Sequence, residues 1–364
     1  MPKLSGNKGE WSEIYVFLRL LDTGRLYAAD ENLRKMNTVF YDVLKIIRDE
    51  DIGNLEFIYE KATRTVSIFN TTTNRALISL PADVFRKEAD KLLCTILNTK
   101  GTSAFSDVKA EAFLEGIGIN TIKARSADKS DIRMKVHDIN SGFEAVQGFS
   151  IKSRLGQPST LINAGRTTNF IYEIKGNIND ELLVRINNSN LKFKDRMAML
   201  LTNGCYLQYC GAENKIFENN MRLLDEALPR ITASLLVNYY TSGCANIVCA
   251  LDQITQENPI GYNLTMGHPF YTYKFKKLLT ACALGMTPAT VWNGVTDATG
   301  GYIIVKENGE VLCYHLFNRN QFEDYLLKNT KFETASTKRY QFGYVYKDNN
   351  RYFIKLNLQV RFIK

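Results

Sequence analysis

Apolar positions recur at two periods along this chain, and the switches between them outline its elements. After Gly9, the residues Ile14, Phe17, Leu18 and Leu21 fall on one side of a helix. A second helix is predicted over about residues 32–48. Residues 55–61 and 65–70 read as short strands joined by a turn. Pro81 suits the first turn of a helix reaching about Leu97, because its missing N–H has no partner there. A further short helix is predicted over 106–115. In the centre, 131–137 and 143–152 predict two strands, joined by the turn-forming stretch DINSG at 138–142. A third strand is predicted over 169–174. From about Asn179 to Gly285 the pattern is mainly helical, with breaks near Gly204, Gly243 and Gly261.

The last 64 residues return to strands. Segments 301–306 and 311–316 flank Asn308-Gly309, a pair that tolerates positive φ and marks a hairpin. A helix is predicted from Asn320, with Glu323 completing a capping box. Two strands, 340–347 and 352–362, follow. In the second, Tyr352, Ile354, Leu356, Leu358, Val360 and Phe362 alternate with mostly polar residues, as on a half-buried strand. The pattern predicts a mixed α+β or α/β fold with a central mixed sheet flanked by helices. A soft division places N-terminal helices and a core in 1–175, a mainly helical region in 176–295, and an α/β module in 296–364. A single domain with decorated edges fits nearly as well.

Composition narrows the class. The chain has 364 residues, 45% hydrophobic and 23% charged, the balance of a folded protein. No uninterrupted apolar run of 18 residues and no signal-like start are present, so a membrane is not expected. Seven scattered cysteines suggest buried, reduced thiols and a cytoplasmic setting. The net charge of +8 suits a polyanionic partner. Over residues 301–364, 11 Lys and Arg stand against 6 Asp and Glu. That excess makes the C-terminal region a candidate for DNA recognition or phosphate clamping, led by Lys338 and Arg339, then Arg319.

The candidate chemistry lies in the central hairpin. If its turn is centred between Asn140 and Ser141, Asp131 opposes Ser150, and Lys152 lies diagonal to Asp131 on the face of Ser150. A carboxylate can hold a divalent cation, and a lysine can stabilise charge developing on a phosphate. Mg²⁺ keeps several waters and needs few protein carboxylates. A second acid is expected two residues before such a lysine, but Ser150 stands there. Glu13 and Glu10, on one helical face, are the candidates to compensate, with Glu13 slightly preferred. By spacing alone, an exposed Asp–Lys ion pair is the commoner outcome. His137, beside the turn, reads as an ordinary partly buried histidine.

The segment GFSIKSRLGQPSTLIN (148–163) resembles the central signature of the HpaII restriction endonuclease family. So do KGEWSE (8–13), DKSDI (128–132), GYIIVK (301–306), EVLCYH (310–315), NRN (318–320) and KLNLQ (355–359). The resemblance implies a PD-(D/E)XK-type nuclease that cuts duplex DNA inside a short palindrome with Mg²⁺, leaving 5′-phosphate and 3′-hydroxyl ends. CCGG is the target of the family's type member. Carried over, Asp131 and Lys152 match the catalytic pair, an N-terminal glutamate is a third member, and Ser150 fits the family's Ser-Ile-Lys. Asp131, Glu13 and the Ile151 carbonyl are the expected metal ligands. A palindrome favours a homodimer, and a companion DNA methyltransferase is an expected genetic partner.

Contacts to DNA are expected from Arg154, Gln157, Ser159, Thr160, Asn163, Arg166 and Asn169, which crowd polar groups after Lys152. Pro158 is a possible start for a short helix facing a phosphate. Lys123, Arg125 and Lys129 are expected to clamp the backbone. A solvated loop explains the first group about as well. Two other functions compete: a non-catalytic DNA-binding protein, favoured by Ser150, and a repair or recombination nuclease. No methyltransferase motif is evident.

Overall fold

The computed structural model describes residues 4–101, 103–123, 130–188 and 191–363. Helix α1 (Lys8–Thr23) begins where the periodicity places it. Asn7 accepts the N–H groups of Gly9 and Glu10, and the Glu10 carboxylate returns a bond to the Asn7 N–H. The helix stops at Gly24, whose φ of 59° is left-handed; a Cβ there would lie 2.2 Å from the Tyr59 ring. Strands β1 (Arg25–Ala29), β2 (Lys35–Glu50), β3 (Gly53–Glu60), β4 (Thr65–Asn70) and β5 (Arg75–Pro81) follow, then α2 (Ala82–Asn98) and α3 (Val108–Gly116). The predicted helix over 32–48 is therefore a correction: it is β2. A bulge between Val43 and Lys45 shifts the inward face by one residue. The shift puts Tyr41, Val43 and Ile46 in the core, the last two three residues apart as on a helix although the chain is extended.

The chain continues through β6 (Ile132–Asp138), β7 (Glu144–Ser153), β8 (Thr160–Ile162), β9 (Asn169–Gly176), α4 (Asp180–Asn188), α5 (Phe193–Thr202) and β10 (Cys205–Ala212). Helices α6 (Lys215–Leu224), α7 (Leu228–Ser242), α8 (Ile247–Glu257) and α9 (Phe270–Ala283) come next. Then come β11 (Gly301–Val305), β12 (Val311–His315), α10 (Arg319–Lys328), β13 (Thr330–Phe332), α11 (Thr337–Tyr340), β14 (Val345–Asp348), β15 (Arg351–Asn357) and β16 (Val360–Phe362).

Two compact units interleave along this path. One holds Met1–Ser159 and Thr296–Tyr325; the other holds Thr160–Val295 and Leu326–Ile363. The three linear segments read from the sequence do not coincide with them. In the first unit the described strands form a mixed sheet ordered β1-β12-β11-β7-β6-β2-β3-β4-β5, and β1 also pairs with β2. Strands β1, β12, β11, β7, β6 and β2 thus form a closed ring of pairings. Helix α1 packs beside α2, and Trp11, Ile14, Phe17, Phe57, Phe85 and Phe149 fill one continuous core. In the second unit, β10-β9-β15-β14 and β13-β16-β8 form two antiparallel sheets accompanied by helices. Tyr172 of β9 is buried there and donates its hydroxyl to the Ala233 carbonyl of α7.

Several local expectations change. The third central strand, β9, pairs with β10 and β15 rather than with the hairpin. Strand β10 interrupts the predicted helical stretch. Residues 337–340 form α11, so of the predicted 340–347 strand only 345–347 is extended, as the start of β14. The last strand breaks at Leu358-Gln359 into β15 and β16, which join different sheets. Asn320 lies inside α10, where Glu323 pairs with Arg319 instead of a cap. After Pro158 the chain forms β8, not a helix. All seven cysteines are free, but Cys94 and Cys210 are exposed rather than buried.

Candidate active site

The central hairpin has the register its turn predicts. Ile132 pairs with Phe149, and His137 pairs with Glu144. Asp131 stands just before β6. Its N–H donates to the Phe149 carbonyl at 2.9 Å, and its carboxylate Oδ2 accepts the Ile151 N–H at 2.7 Å. A carboxylate that caps the end of a hairpin in this way has one oxygen engaged and a fixed orientation. Ser150 and Lys152 share the other face of β7 from Phe149 and Ile151. The Lys152 ammonium lies 5.3 Å from the centre of the Tyr302 ring, on the neighbouring strand β11.

Helix α1 brings the third group. Ser12 is fully buried, and its hydroxyl lies 2.7 Å from that of Ser153 and 2.6 Å from the Lys8 carbonyl. This contact ties the residue before Glu13 to the residue after Lys152. Glu13 and Lys152 line one cavity of about 510 Å³, with Ile151, Ser153, Gln157 and Ser159 also on its wall. The Glu13 carboxyl is pushed up to about 8, first by burial and then by the Asp131 carboxylate; Lys123 and Arg48 oppose the shift. The Asp131 charge thus disfavours the charged form of Glu13, and a cation held between them would favour it.

Glu10 has different work. Its carboxylate holds the Asn7 N–H at 2.8 Å and pairs with Lys123 at 3.1 Å. The bond from Asn7 is the main cause that holds its pKa below the usual carboxylate value. Lys123, expected to clamp DNA, is engaged with Glu10, although two-thirds of its side chain remains exposed. Arg48 was hidden in sequence inside the misread helix. Its guanidinium is buried, pairs with buried Glu50 at 2.9 Å, and donates to the Thr121 carbonyl at 2.8 Å. The ion pair braces the chain just before the segment that leads to Asp131. His137 is half-buried beside Glu144, 3.9 Å away, as expected for a residue near the turn.

The expected DNA contacts separate. Gln157 and Ser159 join the cavity of Glu13 and Lys152. Arg154 is fixed by its N–H to the Val305 carbonyl, and its guanidinium interacts with Tyr325. In the second unit, Thr160 pairs with Arg361, and Asn163 is exposed after β8. Arg166 is mostly exposed, 3.6 Å from Glu213. Asn169 is a correction. It is completely buried, its amide donates to Glu213 and to the Tyr340 carbonyl, and its oxygen accepts from Asn357. A side chain so engaged cannot reach a base. Arg319 is exposed and paired with Glu323, while Arg339 lies 5.3 Å from the Tyr340 ring and Lys338 shares its short helix. Arg125 and Lys129 fall outside the described residues.

The model of the HpaII restriction endonuclease family matches residues 7–362. The chain belongs to this family. It is also 41% identical over 359 residues to the type II restriction enzyme HpaII of Haemophilus parainfluenzae, covering 99% of each chain. No solved structure matches it. The matched range includes positions 13, 131 and 152, and the family is one of restriction endonucleases. Among the described residues, no three His, Cys, Asp or Glu side chains form a metal-binding group, and no helix is long and apolar enough to cross a membrane.

Proposed function

We propose that this restriction endonuclease cuts duplex DNA within the palindrome CCGG, with Asp131, Glu13 and Lys152 as its catalytic residues and Mg²⁺ as its cofactor. The observation that carries the assignment is the meeting of Glu13 and Lys152 on one cavity with the Asp131 charge felt at Glu13. The residues suit a small hard cation: two carboxyl groups repel one another, and Ile151, whose N–H holds the Asp131 carboxylate, lines the cavity with Glu13. Mg²⁺ accepts a sparse set of this kind because water fills the rest of its shell. When bound, it would neutralise charge on the phosphate and lower the pKa of water.

The protein's own groups have separable tasks. Asp131 is oriented by the Ile151 N–H before any ligand arrives. Lys152 places a positive charge where negative charge grows on the phosphate oxygens as water adds to phosphorus and the bond to the 3′-oxygen breaks. Ser150 lies on the same face and can orient water. Products are a 5′-phosphate and a 3′-hydroxyl. The hairpin, with the flanking sheet and helices, serves as a PD-(D/E)XK-type core. Lys338, Arg339 and Arg319 serve DNA recognition from the C-terminal region, with Arg166 and Asn163. A two-fold target favours a homodimer. The enzyme acts in the cytoplasm beside a companion methyltransferase that protects the host's own sites.

Unmethylated plasmid with Mg²⁺ tests the reading, with EDTA and Lys152→Ala as controls. Discrete fragments ending at CCGG, lost in both controls, are expected; the substitution should cost at least about 10²–10³-fold in rate. Uncut plasmid from folded, DNA-binding protein across several divalent metals would move a non-catalytic DNA-binding role to first place.

A further inference from the structure

The first unit contains a second cleft, of about 560 Å³, at the opposite end of α1 from Glu13. Five cationic side chains line it: Arg25, Lys35, Lys61, Arg64 and Arg86. Only two carboxylates, Asp22 and Asp42, share that wall. Asp42 serves Arg25 at 3.3 Å and Lys61 at 3.1 Å, while Asp22 lies 3.8 Å from Arg64. The Lys35 ammonium rests 3.6 Å from the centre of the Tyr27 ring. Gly24, also on that wall, carries a left-handed φ against the Tyr59 ring and has no room for a Cβ. Arg86 is also paired with Asp83, off that wall, which leaves an excess of two positive charges to draw an anion into the concave surface.

We infer that this cleft binds phosphodiester groups of duplex DNA flanking the cut site; the inference rests on the DNA-cutting function proposed above. Asp42 of the cleft pairs with His137 of β6, six residues along the chain from Asp131, which is about 20 Å of extended strand. That length corresponds to roughly six steps of DNA at 3.4 Å each, so a duplex held at Lys152 extends to phosphates at this range. The cations carry no base-reading geometry of their own. They fix the duplex along the enzyme and leave sequence choice elsewhere. Lys61 and Arg64 are about two-thirds exposed, which leaves them available to exchange a shared carboxylate for a phosphate.

The experiment compares the salt dependence of duplex binding, measured by fluorescence anisotropy in Ca²⁺ or without metal. The proteins are the full chain, Lys61→Gln/Arg64→Gln, and the charge-matched control Lys91→Gln/Lys109→Gln. Lys91 and Lys109 are exposed and lie outside the cleft. The cleft variant is expected to bind with a log K against log [salt] slope shallower by about 2, with the control unchanged. Equal loss in both variants would reduce the effect to net charge, and an unchanged slope in the cleft variant would remove the site; either overturns the inference. Thermal shifts with inorganic pyrophosphate distinguish the source of the anion. Pyrophosphate stabilisation lost in the cleft variant, with its DNA slope intact, would make the cleft a small-anion site and overturn the DNA assignment. Plasmid cleavage by the unaltered protein is read in parallel. If it cuts and the slope does not change, only the cleft fails; if it neither cuts nor binds DNA, the proposed function fails first.

Discussion

Glu13 in the first unit and Glu213 in the second are both partly buried, yet they are held in opposite states. Burial pushes each carboxyl up. At Glu213 that effect is outweighed by hydrogen bonds from Lys355 at 2.8 Å and Asn169 at 2.8 Å, with Arg166 adding charge, and the pKa falls below the usual value. At Glu13 burial is reinforced by Asp131, and the carboxyl rises to about 8. Glu213 is satisfied within the fold. Glu13 is left waiting for a positive partner. Burial by itself therefore does not mark a functional acid; burial beside a second acid, in a cavity shared with a lysine, does.

The largest expected effect breaks the comparison at Glu13. Glu13→Gln should lower the single-turnover cleavage rate by about 10²-fold or more. It should also stabilise the metal-free protein at alkaline pH. The folded-state pKa of Glu13 lies above its unfolded value, so the unfolded chain loses this proton first. Stability therefore falls as pH rises from about 4.5 towards 8 and levels off above it. A divalent cation should raise the melting temperature more at pH 8 than at pH 5.5, and the Gln variant should lose that difference. An equal metal effect at both pH values would contradict the pairing of Glu13 with Asp131.

Asn169→Ala sharpens the other side. It leaves Glu213 and Asn357 short of buried partners and should cost about 1–3 kcal/mol in denaturant unfolding. Sequence preference in cleavage should not change; altered preference would return Asn169 to the DNA surface. Glu213→Gln should cost about 1–2 kcal/mol at neutral pH, because Lys355 loses a half-buried partner. With its folded pKa lowered, the stability Glu213 contributes is present above the unfolded value and disappears as pH falls through the folded one, so wild type and variant should converge in acid. The smallest effect concerns alignment. Ser12→Ala should reduce the cleavage rate by about 3–10-fold with about 1 kcal/mol of lost stability, and Ser153→Ala should add little to it. Full additivity in rate would show that the two hydroxyls do not act as one clasp.

Legibility tracked locality. The register that placed Asp131 against Ser150 came from a five-residue turn, and the structure pairs 132–137 with 144–149 on that register. The start of α1 was legible because Asn7 and Glu10 act within three residues. Strand β2 was not, because its bulge copies the helical period while its stability comes from β1, β6 and β3. Arg48 was invisible for the same reason: its partner Glu50 is near in sequence, but the Thr121 carbonyl and its electrostatic reach to Glu13 come from packing. Asn169 looked like a DNA contact beside other polar residues until Tyr340 and Asn357, both distant in sequence, enclosed it.

The family, the hairpin register, the candidacy of Asp131 and Lys152 as a catalytic pair, and that of an N-terminal glutamate were all legible in the sequence. These depend on motif identity and on short-range alternation. Tertiary structure separates Glu13 from Glu10, because Glu10 closes its own helix cap while Glu13 is buried within reach of the Asp131 charge. It also decided which polar residues line a cavity, which are sealed inside, and where five cations gather at the end of α1. Such outcomes are set by which side chains desolvate one another across the fold, and no local pattern carries that information.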